Sequence, residues 1–298
     1  MRARVLLMTV FAGSVPAACS LVQDLDGYAG PPLAGDASVG SDGGAADGAT
    51  SRDGGPAIDG DVDGDGSAGP CGFAGRGPDG VPVASAFCID ATEVTQSQYA
   101  AFVADRAGDT SGQRPACAWN TSFAPNPGCG YDPVARAEHP VGGVNWCSAA
   151  AFCTWAGKRL CGSRDAGAVA PEDATDPAKA AWMAACTNLD DGLHAYPYGN
   201  AYDPAACNGK DLVRGGTAAV RSLAGCGGGH PGLNDMSGNV FEWIDACTAD
   251  GGSSGQTDRC VAQGGSFLAG ELLLRCSGVY QPERAAEDCQ LGFRCCSL

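Results

Sequence analysis

The chain has 298 residues, enough for one large or two small domains. Its formal net charge is −16, and its 18 Lys plus Arg form no basic cluster, which excludes nucleic-acid binding driven by counterion release. Seventeen cysteines are hard to keep reduced in a cytosol, so the composition argues for an oxidising compartment.

Residues 1–18 open with Arg2 and Arg4, continue in an apolar run from Val5 to Val15 and end in small residues. That pattern is a signal peptide and is too short to span a bilayer as a mature helix. Ala17-Ala18-Cys19 has the form of a lipobox, so Cys19 is the expected acylation site, although Pro16 replaces the usual aliphatic residue. If Cys19 carries lipid, the odd cysteine is accounted for and the sixteen between Cys71 and Cys296 are free to pair. Residues 19–70 form the second expected segment. Between Ser20 and Pro70 there are ten Asp and one Arg, a local charge of 1 − 10 = −9, in a Gly/Ala/Ser background with almost nothing to bury. Such a segment is expected to be a solvated, disordered tether. Its "DGDVDGDG" imitates a calcium loop, but the twelfth position falls on Pro70 or Gly72 rather than on an acidic residue.

From Cys71 to the end the composition changes, and residues 71–298 read as one domain. "TEVTQSQYAAFVADRAG" predicts a helix: Thr95 and Gln98 make a capping box, Tyr99, Phe102 and Val103 line one face, and Gly108 follows the end. "NWCSAAAFCTWAGKRL" predicts a second helix, alanine-rich, apolar nearly all round and closed at Gly157, which should be buried. Little else is periodic, and disulfides are expected to supply the missing support. Cys117 with Cys129 and Cys247 with Cys260 have hairpin-like spacings, although connectivity does not follow from sequence. Lys158 and Arg159 are expected to meet the carbonyls at the end of the second helix.

Six segments in order, "CIDATEVTQSQYAAFV", "HPVGGVNWCSAAAFCTWAGKRL", "YPYGN", "GLNDMSGNVFEW", "GGSF" and "LGFRCC", cover residues 87–296. Together they resemble the formylglycine-generating enzyme (sulfatase-modifying factor) family. The resemblance implies an α+β fold: an irregular, loop-rich single domain related to C-type lectins, disulfide-stabilised and often holding calcium. Catalytic members oxidise a sulfatase cysteine to formylglycine with oxygen and a copper(I) ion held by two cysteine thiolates, soft ligands that no oxygen or alkyl group replaces.

Counted forward from Gly264-Gly265-Ser266-Phe267, the two copper-binding positions fall on Ala269 and Leu274; counted back from Cys276, the second falls on Glu271. Neither register places a cysteine there, so no catalytic residue is assigned and copper is not expected. The remaining route to a copper site is relocation of the sulfur ligands to Cys289 or Cys296. A histidine triad of the kind used by related iron enzymes is not expected either, because His139, His194 and His230 lie in three separate segments.

For calcium, the resemblance implies the side chains of Asp235 and Glu242 and the carbonyls of Gly238 and Val240. Gly238 would permit the sharp turn, and Trp243 would anchor it. It also implies the disulfides Cys153–Cys295 and Cys186–Cys276.

The reading that follows is a surface-tethered lipoprotein of a Gram-negative envelope, lipid-anchored at the outer membrane or in the periplasm, or else secreted. It would carry a non-catalytic domain that binds a protein, peptide or glycan and would touch the membrane only through its lipid. The alternatives are a copper-dependent oxidase with relocated thiols and a purely structural envelope protein.

Overall fold

The structure is a computed structural model that describes residues 71, 76–83, 86–188, 194–248 and 255–298. The signal segment, Cys19 and the acidic tether lie outside the described residues.

Helix α1 spans Gln96–Arg106 and begins where the sequence places it. Thr95 Oγ1 accepts from the Gln98 amide at 3.3 Å, and Gln98 Oε1 accepts from the Thr95 amide at 3.0 Å. Two of the four orphan donors at the helix start are thereby satisfied. The helix stops as Ala107 turns left-handed. Helix α2, Trp146–Trp155, starts on Asn145, whose Oδ1 accepts from the Ser148 amide at 2.9 Å. The two helices meet through aromatic side chains. Phe152 stacks on Tyr99 at 5.8 Å between ring centres and meets Phe293 edge-on at 5.3 Å, while the Tyr99 hydroxyl donates to the Phe123 carbonyl. A third helix, α3, covers Ala181–Cys186 with all six residues buried. Because no face of it meets water, it leaves no polar–apolar period in the sequence.

The strands form two four-stranded sheets. The first contains β1 (Gly80–Val83), β2 (Phe87–Asp90), β8 (Cys295–Ser297) and β3 (Arg159–Leu160), paired in that order and all antiparallel. The second runs β6 (Val279–Tyr280), β5 (Arg259–Gln263), β4 (Phe241–Thr248) and β7 (Leu291–Phe293). Its β4–β7 pair is parallel. The last residues therefore stitch the halves together: β7 completes one sheet, β8 enters the other, and Arg294 alone lies between them. Most of the remaining described chain is turn and bend.

All sixteen cysteines from Cys71 to Cys296 are paired, in eight disulfides. Cys153 is bonded to Cys295 and Cys186 to Cys276, while Cys247 joins Cys260 across β4 and β5. Cys117 and Cys129 do not pair with each other. Each closes a 3-10 turn, Pro115–Cys117 and Pro127–Cys129, in a segment without strands to align them. Cys117 bonds to Cys147 on α2, and Cys129 to Cys289. The remaining bonds are Cys71–Cys88, Cys161–Cys296 and Cys207–Cys226.

Lys158 and Arg159 also depart from expectation. The left-handed turn at Gly157 carries the chain off the helix axis into β3. Lys158 Nζ donates to the Pro78 carbonyl at 2.6 Å and forms a buried ion pair with Asp90, and Arg159 donates to the Ser163 carbonyl. Both are structural.

Candidate functional site

Strand β5 delivers the chain into Gly264 and Gly265, both at positive φ. A Cβ on Gly265 would lie 2.8 Å from the Leu273 carbonyl oxygen, 2.9 Å from Leu274 Cδ2 and 3.2 Å from Ala269 Cβ, so only glycine fits. Ala269 and Leu274, the positions reached by counting forward, both border Gly265 and are buried, at 1% and 2% exposure. Glu271 is half exposed instead, with its carboxylate near the Tyr196 hydroxyl and Arg275. Ser266 Oγ donates to Gln290 Oε1 at 2.5 Å and accepts from the Leu268 amide, which fixes the turn.

The residues present do not fit copper(I). Counted forward, the two positions hold a methyl and an isobutyl group; counted back, the second holds the Glu271 carboxylate. Neither register offers a thiolate, and Cys276 is committed to Cys186. The relocation candidates are committed too, Cys289 to Cys129 and Cys296 to Cys161. A cleft of about 200 Å³ opens next to Phe267, bordered by Arg136 and Thr217. His139 stands beside it, with Nδ1 3.1 Å from Thr217 Oγ1, and neither His194 nor His230 lines it.

The turn from Asp235 to Glu242 is tightly wound, with Asp235, Gly238 and Asn239 all left-handed. A Cβ on Gly238 would sit 2.6 Å from the Asn208 carbonyl oxygen, so glycine is obligatory there as well. Trp243 is fully buried and donates its indole N–H to the Val144 carbonyl at 2.9 Å, anchoring the turn to the start of α2. Asp235 Oδ2 accepts from the Arg221 amide at 2.6 Å.

Glu242 is clamped. Arg294 donates from Nε to Oε2 at 2.7 Å and from Nη2 to Oε1 at 2.8 Å, and the Trp182 indole donates to Oε2 at 2.7 Å. Of about four lone-pair directions on this carboxylate, three are used, which leaves room for one further electrophile.

Two members of this cluster were not singled out in the sequence. Arg294 is fully buried and also donates to the carbonyls of Asp90 and Asn234. Glu93 lies between β2 and α1, fully buried, and neither of its carboxylate oxygens has a hydrogen-bond partner. The signals available were two acids, Asp90 and Glu93, in the short segment "CIDATEV" and a lone base in "LGFRCC". Three carboxylates thus share one guanidinium. Burial, then the charges of Asp235 and Glu242, holds the Glu93 carboxyl well above its usual range. Burial also pushes Asp235 up to about 6, against its amide hydrogen bond and the Arg294 charge.

The sequence pattern of the sulfatase-modifying factor enzyme 1-like domain matches residues 51–297. The chain belongs to this family. Family members include the mouse formylglycine-generating enzyme, 30% identical over 188 residues that cover 54% of this chain and 44% of the mouse protein. The Thermomonospora curvata formylglycine-generating enzyme is 30% identical over 253 residues, 66% of this chain and 76% of that protein. The chain therefore spans less than half of the mammalian enzyme it resembles. Among solved structures, PvdO from Pseudomonas aeruginosa superposes over 71% of this chain and 80% of its own at 17% identity, with a TM-score of 0.48. As a member of the family, the chain has a mixed α/β, loop-rich domain held by eight disulfides.

Proposed function

We propose that this family member is a non-catalytic ligand-binding module displayed outside the cytoplasm on a lipidated tether. The observation that carries the reading is the pair Ala269 and Leu274. Both border Gly265 where the resemblance, counted forward, calls for two thiolates, in a domain whose sixteen cysteines are all bonded. Without a soft pair the copper step of the catalytic relatives has no holder. Eight disulfides suit an oxidising compartment, and the Arg-rich start, apolar run and Cys19 support export with acylation.

The test is a free-thiol count by mass spectrometry on the denatured, unreduced mature chain, followed by copper(I) titration. The expected result is no free thiol from residue 71 onward and no stoichiometric copper. A free pair that takes up one copper would sink the non-catalytic reading. The same spectrum reads the N-terminal mass, which includes the acyl groups if Cys19 is the anchor.

Calcium belongs to the same reading, held by Asp235, Glu242 and the carbonyls of Gly238 and Val240. Support comes from the tight left-handed turn that carries Asp235 and Gly238 and from the one lone-pair direction left on Glu242. The ion would supply charge neutralisation. The expected outcome is a higher midpoint of thermal unfolding in millimolar calcium than in chelator, with the difference lost in Asp235→Asn. Superposable melts for the unsubstituted protein would remove calcium from the picture.

A further inference from the structure

A cavity of about 430 Å³ opens between the C-terminal end of α1, the loop that follows it and the outer face of α2. It lies apart from Ala269 and Leu274 and from the carboxylate cluster, and shares no lining residue with the cleft beside Phe267. Its floor is apolar and rigid: Phe102 and Phe123 are buried, with ring centres 4.9 Å apart, and the Cys117–Cys147 bond ties the loop to α2 beside them. Its rim is cationic. Arg76, Arg106 and Arg114 line it, and no aspartate or glutamate does among the described residues.

The three guanidinium groups are held in place from the protein side. Arg76 donates to the Trp155 carbonyl at 2.9 Å and stacks over that indole at 4.8 Å. Arg106 donates to the carbonyls of Asp109 and Ser111 and lies 3.3 Å from the Asp109 carboxylate. Arg114 grips Asp245 through both terminal nitrogens, at 2.9 and 2.8 Å. Asp105 accepts the Trp155 indole N–H at 2.6 Å and is not a lining residue. Arg106 and Arg114 are each paired with one carboxylate, whereas Arg76 is held by the Trp155 carbonyl and indole and forms no ion pair among the described residues.

A concave site of a few hundred Å³ with an apolar floor and a few fixed polar groups is the usual form of a small-molecule pocket. The Phe102–Phe123 floor suits an aryl or short alkyl body, and Arg76 suits one anionic head. We infer that this cavity binds a small amphiphilic monoanion, an apolar body carrying one carboxylate or sulfonate. The inference deepens the ligand-binding reading above and rests on it, but not on the copper positions.

The probe is 1-anilinonaphthalene-8-sulfonate, titrated by fluorescence into the mature full chain, with neutral N-phenyl-1-naphthylamine as its uncharged counterpart. The expected result is one saturable site with a Kd on the order of ten micromolar, about tenfold weaker for the neutral compound and for Arg76→Gln. Arg76 is exposed and its substitution leaves the core untouched. Ala151→Trp, which fills the cavity from α2, is expected to abolish binding, while Arg136→Gln in the other cleft leaves it unchanged. Equal binding of the charged and neutral probes, or an unaltered Kd in both Arg76→Gln and Ala151→Trp, would overturn the assignment. Failure here with no free thiol found removes this site alone; a free copper-binding pair removes the underlying reading instead.

Discussion

Replacing Arg294 by methionine is expected to destabilise the domain by about 3–5 kcal/mol, read as a shift in guanidinium chloride unfolding of the unreduced protein. Arg294 sits between the last two strands, fully buried, and its side chain joins four acceptors: both oxygens of Glu242 and the carbonyls of Asp90 and Asn234. Methionine fills a comparable volume but leaves Glu242 without its cation and two carbonyls without a donor. Glu93 and Asp235 lose the favourable charge of Arg294 at the same time. An uncompensated buried charge is costly in a way that a missing surface pair is not.

Two companions sharpen the result. Arg294→Lys keeps the charge, yet one compact ammonium cannot reproduce a planar fork spanning Glu242 and two carbonyls, so it should recover less than half of the loss. Adding Glu242→Gln to Arg294→Met removes the stranded charge and should make the double variant more stable than the single one. A loss below about 1 kcal/mol in Arg294→Met would mean that these carboxylates are already neutralised without the arginine.

Removal of the Cys161–Cys296 disulfide by paired alanines is expected to cost about 3 kcal/mol, although its 135-residue separation taken alone would imply about 5. The reason lies in its neighbour. Cys153–Cys295 already ties the same two segments, and the paths between the bonds are eight residues on one side and one on the other. The loop that the second bond closes is therefore short, and loop entropy grows only as the logarithm of length. Removing both bonds should cost about 6 kcal/mol, because the C-terminal strand is then held covalently only through Cys129–Cys289. Unfolding of each single variant and of the double variant checks this. A single-variant loss near 5 kcal/mol would show that the two bonds act independently.

Local features were well marked in the sequence. The capping box at Thr95 involves residues three apart, so chemistry and geometry reside in one short stretch. The glycines at 238 and 265 were visible as motif positions, but the backbone each would strike comes from elsewhere, Asn208 for one and Leu273 for the other. Helix α3 stayed hidden because a fully buried six-residue helix has no period to show. The Cys117 pairing misled because hairpin-like spacing carries meaning only between strands, and that region is turn.

For the site, the sequence by itself determined what is chemically available: no thiol at Ala269 or Leu274, an acid at Asp235 and another at Glu242, and an even set of sixteen cysteines beyond Cys19. Composition is read directly from the chain, so an absent ligand type needs no coordinates. The tertiary structure alone decided who meets whom. It brought Ala269 and Leu274 beside Gly265, gave Glu242 to Arg294 from 52 residues away, and buried the Glu93 carboxylate without a hydrogen bond. It also gathered Arg76, Arg106 and Arg114 over the Phe102–Phe123 floor. Those contacts join distant segments through burial and crosslinks, and in a domain with so little regular structure no local period encodes them.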